Sequence, residues 1–260
     1  MTLEKIGLEI SDQIATVTFR NPNKLNAWDG QMLTELKAVV EDLAGREEVR
    51  VVIFTGEGRA FSVGADMNWF TPDPLTHRFR LQARSAHDFF DSLEALEKPI
   101  LAAINGLCVG GGLELALSCD LRVAAEEARF GFPEVNAGII PGSGGCSRLA
   151  HLVGVGAAKE LILTGELIPA SEAKQIGLVN AVVPADQLTA KARQYAEKIL
   201  QRGPLAVGMA KQIINTALSV DAATGRTLER LAQSILLKTE DAEEGFRAFR
   251  EKRPPKFSGK

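Results

Sequence analysis

Two glutamates, each set among apolar neighbours and beside a turn-forming residue, are the groups of this 260-residue chain best placed for proton chemistry. Glu114 lies in "NGLCVGGGLELALSCD" (residues 105–120), two positions after three consecutive glycines. Glu134 lies in "FGFPEVNAGIIPG", directly after Pro133. Paired carboxylates in a partly dry site can hold a water and exchange protons with a substrate. The glycines add a second capacity. They let the backbone turn sharply and let a ligand approach the amides with no Cβ in the way. The first amides of a following helix lack internal partners and sit at the positive end of its dipole, so such a junction can hold an anion or a developing oxyanion. Plainer readings fit the same residues: a tight turn packing strand on helix, a helix-start glutamate favoured by the dipole, and an exposed loop glutamate.

Other chemistries find little support. A P-loop would need lysine after the glycines, and none follows. A dinucleotide fingerprint is absent too; "PGSGG" (141–145) offers one G-x-G, but Ser147 stands where the last glycine belongs. His77, His87 and His151 fall in helical patterns away from the glycine-rich junctions, and no G-x-S-x-G accompanies them. No H-x-x-x-H or carboxylate cluster points to a metal. Cys108, Cys119 and Cys146 are odd in number and lack C-x-x-C spacing, which reads as buried free thiols in a reducing cytoplasm. A net charge of −3 gives no basic field for nucleic acid. "MTLEKIGLEI" has no long apolar region and no membrane-length apolar run occurs, so neither a signal peptide nor a span is expected.

The elements that must position these residues follow from periodicity. "KIGLEISDQIATVTFR" reads as two strands about a turn at Ser11–Gln13. "NPNKLNAW" reads as a loop in which Pro22 excludes helix. Asp29 can cap a helix reaching about Leu43, with Met32, Leu33, Leu36, Val39, Val40 and Leu43 at helical spacing. "VRVVIFTG" and "KPILAAING" are short apolar runs ending in glycine, as strands covered on both faces require, and "LRVAAE" is a further strand. "EGRAFSVGAD" reads as a loop, "HRFRLQARSAHDFFDSLEALE" as a helix, and the glycine triplet as a helix start. Strands alternating with helices give an α/β fold with right-handed crossovers. From about Gly154 the pattern is mostly helical, ending in "RTLERLAQSILLKTEDAEEGFRAFREK" and a basic tail, "KRPPKFSGK". Trp28, Trp69 and the phenylalanines read as packing residues.

Six blocks in order resemble the crotonase (enoyl-CoA hydratase/isomerase) superfamily over nearly the whole chain: "NPNKLNAW", "GEGRAFSVGADM", "KPILAAINGLCVGGGLELALSCDLRVA", "ARFGFPEVNAGIIPGSGG", "LTGELIPASEAKQIGLVNAVVP" and "EGFRAFREKRPPKFSG". The resemblance implies an α/β fold with a ββα spiral core binding acyl-CoA over residues 1–195. It also implies a helical region over 196–260 that forms a homotrimer or a dimer of trimers. It implies an acyl-CoA thioester as ligand, with coenzyme A part of the substrate and no separate cofactor. By motif position the thioester oxygen falls between the amides of Ala65 and Gly111, and Asp66, Met67, Asn68 and Gly142 join the substrate contacts. Hydratases of this superfamily resemble the chain in carrying both glutamates. Glu114 then helps activate water for attack on C3, Glu134 gives a proton to C2, and Gly142 orients the ligand or water. The implied product is a 3-hydroxyacyl-CoA formed by syn addition. A Δ3–Δ2 isomerase needs a single base, often at the Glu134 position; the resemblance also admits another reaction at the same enolate of an acyl-CoA, such as hydrolysis or decarboxylation, and some relatives bind RNA without catalysis.

Three features depart from the pattern. Asn68 replaces a frequent lysine associated with the adenosine end of CoA, which shifts phosphate contacts elsewhere, for instance to the basic tail. "GGCSRL" carries Cys146 and Ser147 in place of Thr-Gln. "DMNWFTPDPLTHRF" resembles the variable acyl-pocket segment, where Trp69 and Phe70 could limit acyl length.

Overall fold

The computed structural model describes residues 3–69 and 75–260. At the start of the chain β1 (Ile6–Ser11) and β2 (Ile14–Phe19) form an antiparallel hairpin with Ser11 opposite Ile14. Asp12 and Gln13 both take positive φ, 52° and 65°, which matches a two-residue turn to the twist of its strands. Helix α1 (Gly30–Gly45) begins at Asp29, whose carboxylate accepts the Met32 amide at 3.0 Å.

Three similar turns of chain follow. The first is β3 (Val51–Gly56), β4 (Ala60–Ser62) and α2 (Thr76–Ala95). The second is β5 (Ile100–Ile104), β6 (Leu107–Val109) and α3 (Gly111–Leu117). The third is β7 (Leu121–Ala125), β8 (Arg129–Gly131) and, after a 3-10 turn over Pro133–Ala137, α4 (Gly145–Val153). The rest is α5 (Val155–Thr164), β9 (Ile168–Pro169), α6 (Ala170–Gln175), β10 (Ala181–Val183), α7 (Leu188–Leu200), α8 (Pro204–Ala217), α9 (Ala222–Leu236) and α10 (Glu240–Glu251).

The first strand of each turn joins a six-stranded sheet, β1-β2-β3-β5-β7-β10, and the second joins a four-stranded sheet, β4-β6-β8-β9. Pairing is parallel except for β1–β2 and β8–β9. Each ββα turn therefore advances the chain by one strand in both sheets at once, which is a spiral. Residues of β5 alternate between two cores. Ile100, Ala102 and Ile104 enter the larger apolar cluster, while Leu101 and Ala103 meet Leu188, Ala192 and Ala196 of α7 across the other face. A strand covered on both faces explains its all-apolar composition.

Several expectations need correction. "EGRAFSVGAD" is not all loop, because β4 lies inside it, and the strand leading into the glycine triplet is the short β6 rather than β5. Pro22 does not exclude every helix. It opens a 3-10 turn over Pro22–Lys24, at the first position, where its missing N–H leaves no bond unmade. The run from Arg226 to Lys252 is two helices, because the Thr239 hydroxyl accepts the Ala242 amide at 3.1 Å and restarts the chain as α10. The basic tail is strapped down. Arg253 pairs with Glu244 and Glu251, and the amides of Ser258 and Gly259 donate to Asp241. The cysteines are free, Cys108 and Cys119 buried and Cys146 half-buried. Among the described residues no helix is long and apolar enough to cross a membrane.

Candidate active site

The site forms where three adjacent parallel strands end. In the smaller sheet β6 lies between β4 and β8, with Ser62 beside Cys108 and Val109 beside Gly131. Ala65 follows the end of β4, Gly111 the end of β6, and Glu134 the end of β8. Parallel pairing brings these carboxyl ends to one edge, the place where open parallel sheets bind ligands.

The amides come from the first two strand ends. Trp28 forms a single parallel bridge to Ala65: its N–H donates to the Gly64 carbonyl at 2.7 Å, and its carbonyl accepts the Asp66 amide at 2.8 Å. That pattern turns the Ala65 N–H away from Trp28. Gly111 opens α3, and the Gly110 carbonyl accepts the Leu113 and Glu114 amides, leaving Gly111 among the unpaired first N–H groups. Neither the Ala65 nor the Gly111 N–H has a backbone acceptor among the described residues. The two segments touch. A Cβ on Gly64 would stand 2.5 Å from the Gly111 nitrogen, and one on Gly111 would stand 3.7 Å from the Ala65 nitrogen.

The triplet now has separate reasons for its glycines. Gly110 takes φ +54°, and a Cβ there would sit 3.0 Å from Glu134 Oε1. A Cβ on Gly112 would meet the Ser62 carbonyl at 2.2 Å, so α3 could not start against β4.

The carboxylates flank this edge in unequal settings. Glu114 is 4% exposed, and its Oε1 accepts the amides of Ser143 and Gly145 at 2.7 and 2.9 Å. Burial raises its carboxyl above the usual value, while those two amides, Arg148 and His87 pull it back. Glu134 is half-buried, and its Oε2 has no hydrogen-bond partner among the described residues. Burial lifts its carboxyl to about 7, with the charge of Glu114 adding to the rise.

The remaining sequence-derived residues sit around this edge. Asp66 is buried. Lys24 donates to it at 2.7 Å and Asn68 from both its amide and its side chain, which holds its carboxyl below the usual value. Lys24 thus brings a cation beside Asn68. Met67 is 64% exposed and Trp69 is also exposed; Phe70 lies outside the described residues. Gly142 is exposed, and its carbonyl accepts from His87 of α2. His87 is therefore not remote from the glycine-rich junctions, contrary to the sequence reading. The amides of Ser143 and Gly145 were also missed, because a backbone donor in a turn has no signature in residue type. Among the described residues no cluster of three or more His, Cys, Asp or Glu could hold a metal.

A sequence profile of the enoyl-CoA hydratase/isomerase family matches residues 9–260. The chain is 42% identical over 254 residues to the short-chain-enoyl-CoA hydratase of Clostridium acetobutylicum, covering 97% of both proteins. It is 39% identical to the crotonyl-CoA hydratase of Syntrophomonas wolfei over the full length of each. The crystal structure of an enoyl-CoA hydratase from Bacillus anthracis superposes with a TM-score of 0.94 at 39% identity, over 99% of this chain and 100% of that one. By sequence and by fold, this chain belongs to the enoyl-CoA hydratase/isomerase family.

Proposed function

We propose that the protein is an enoyl-CoA hydratase that adds water across the α,β-double bond of a 2-enoyl-CoA to give a 3-hydroxyacyl-CoA. The observation that carries this reading is the unequal carboxylate pair at one strand edge: Glu114 with one oxygen held by two amides, Glu134 with an oxygen that has no partner among the described residues. Attack at C3 pushes charge onto the thioester oxygen. The amides of Ala65 and Gly111 receive that charge, preorganised by the close approach of Gly64 to Gly111. Glu114, with one oxygen free of the turn, holds the water and takes its proton as the oxygen bonds to C3. Glu134, lifted to about 7, keeps a protonated fraction near neutral pH, and that form delivers its proton to C2. A proton passed back from Glu114 to Glu134 restores both groups, so one water adds in full, OH to C3 and H to C2. Delivery from one edge makes the addition syn.

Asp66, Met67, Asn68 and Gly142 line the approach for the CoA moiety and acyl group. Residues 1–195 form the acyl-CoA-binding core. Residues 196–260 carry the helices through which three copies, or two rings of three, associate. Exposed Leu231, Ile235, Phe246 and Phe249 on α9 and α10 supply apolar surface for that association.

Loss of enoyl-thioester absorbance with crotonyl-CoA and longer or cyclic enoyl-CoAs tests the reading. Hydration is expected, and failure of every enoyl-CoA to react overturns it. Conversion of a 3-enoyl-CoA without uptake of water would instead assign the isomerase reaction.

A further inference from the structure

Glu114 does not hold itself in place. Among the described residues its Oε1 is fixed through the Ser143 and Gly145 amides, so the carboxylate is aimed as well as the 142–145 turn is seated. That turn is fastened from outside. His87, Asp91 and Glu94 follow one another at spacings of four and three on α2, which puts them on one helix face. His87 Nε2 meets the Gly142 carbonyl. A carbonyl only accepts, so Nε2 carries the proton, in a neutral or a charged ring alike. Arg148 Nη1 donates to the Ser143 carbonyl at 2.9 Å, while its Nε reaches Glu94 at 2.6 Å and its Nη2 reaches Asp91 at 2.5 Å. The Arg148 side chain is 12% exposed, so this fork is largely withdrawn from water. Two successive carbonyls of the turn are thereby pinned toward α2 and α4, and the amides of Ser143 and Gly145 are left to face Glu114. Helix α2 is itself braced, since Gln212 and Asn215 of α8 donate to the Glu94 carbonyl.

We propose that His87 and Arg148 are positioning residues for Glu114, setting the Gly142–Gly145 turn whose amides orient the carboxylate toward the water. This rests on the assignment of Glu114 as the water-holding group. Neither residue touches the reacting carbons in this scheme; both act through the turn.

The test uses the full-length protein with His87 replaced, because that side chain is exposed and its loss leaves the core intact. His87→Ala should lower kcat about five- to tenfold, the worth of one hydrogen bond, with KM within about twofold. His87→Gln, whose side-chain amide can donate to the same carbonyl, should recover most of the loss. Arg148→Lys keeps the charge, loses the fork, and should resemble His87→Ala. A second arm needs no turnover: the Glu114 carboxyl is titrated by carbon-13 NMR in substrate-free protein, its signal identified by its absence in Glu114→Gln. Slackened amides stabilise the carboxylate less, so His87→Ala should titrate at higher pH. Arg148, Glu134 and the His87 ring also bear on that titration, and the Gln variant separates them. It lacks the imidazole charge, so a parent-like titration in His87→Gln credits the hydrogen bond. Unchanged kcat and titration in His87→Ala overturn the proposal, as does a His87→Gln variant as impaired as His87→Ala. If the parent hydrates no enoyl-CoA, the hydratase reading fails while the titration arm still decides this one.

Discussion

Two junctions of this molecule enclose a carboxylate and treat it in opposite ways. Where α1 meets the start of β1, Glu35 is buried, and its Oε2 accepts the amides of Glu4, Lys5 and Ile6 at 3.1, 2.8 and 3.0 Å. Its other oxygen accepts Gln31 at 3.0 Å. Burial opposes ionisation there, but the donors outweigh it and the carboxyl ends below its usual value. At the edge of the smaller sheet, Glu134 Oε2 accepts nothing among the described residues and the carboxyl rises to about 7. Glu114 stands between the two, with one oxygen held and a net rise. Burial alone therefore does not mark a working carboxylate. The feature that sets Glu134 apart from Glu35 is a buried oxygen with no donor among the described residues, which favours a retained proton.

The largest expected effect separates the junctions by activity. Glu134→Gln and Glu114→Gln should each lower kcat by about 10²- to 10⁴-fold while CoA esters still bind, the loss expected of the proton-transfer roles proposed for them. Steady-state hydration and a binding titration with a saturated acyl-CoA read both quantities. Full activity in either variant would remove that residue from the mechanism. Glu35→Gln should leave kcat unchanged.

Next comes the amide pair. Gly64→Ala would put a Cβ 2.5 Å from the Gly111 nitrogen, at a backbone φ of +79° that side chains rarely adopt. Losing one such donor should cost about 10²- to 10³-fold in kcat. Parent-like turnover in a folded Gly64→Ala protein would show that the two amides do not act together.

Much of this arrangement is legible in the sequence. The Asp29 cap, the hairpin and the apolar runs of β3 and β5 each carry a local cause that residue type reveals, and each stands where the sequence placed it. Glu114 and Glu134 were visible because a charge among apolar neighbours is conspicuous. The three-residue strands β4, β6 and β8 were not. They are too short to show alternation, they sit in glycine-bearing segments, and they pair with one another a whole turn of chain away, β8 also with the two-residue β9. The Ser143 and Gly145 donors escaped for a related reason. Any residue offers an N–H, and only the fold decides which ones face Glu114. His87 looked remote because it and Gly142 are separated by 55 positions and meet only in the folded chain.

The comparison also predicts a difference in stability. Glu35→Gln places an amide among donors that need a full charge, and should cost about 2 kcal/mol in urea unfolding near neutral pH. If no loss appears, the four bonds to Glu35 are not what fixes the start of β1 to α1.

The smallest effect is a reversal of sign with pH. For Glu134 the folded value, about 7, exceeds the unfolded value of 4.5, so between them the native state keeps a proton that the unfolded chain has released. Its favourable contribution is complete below the unfolded value and is lost as pH rises toward 7. For Glu35 the folded value is the lower, so its contribution is present above the unfolded value and is lost on acidification. Urea titrations at about pH 4 and about pH 8 should therefore show Glu134→Gln gaining on the parent by about 1 kcal/mol at the higher pH, a figure reduced for the partial exposure of the group. Glu35→Gln should fall behind the parent over the same interval. In turnover, the loaded acid requires kcat/KM to decline above about pH 7. Parallel pH dependences in the two variants would mean that Glu134 finds a donor in solution, and the contrast between the two junctions would then reduce to depth of burial.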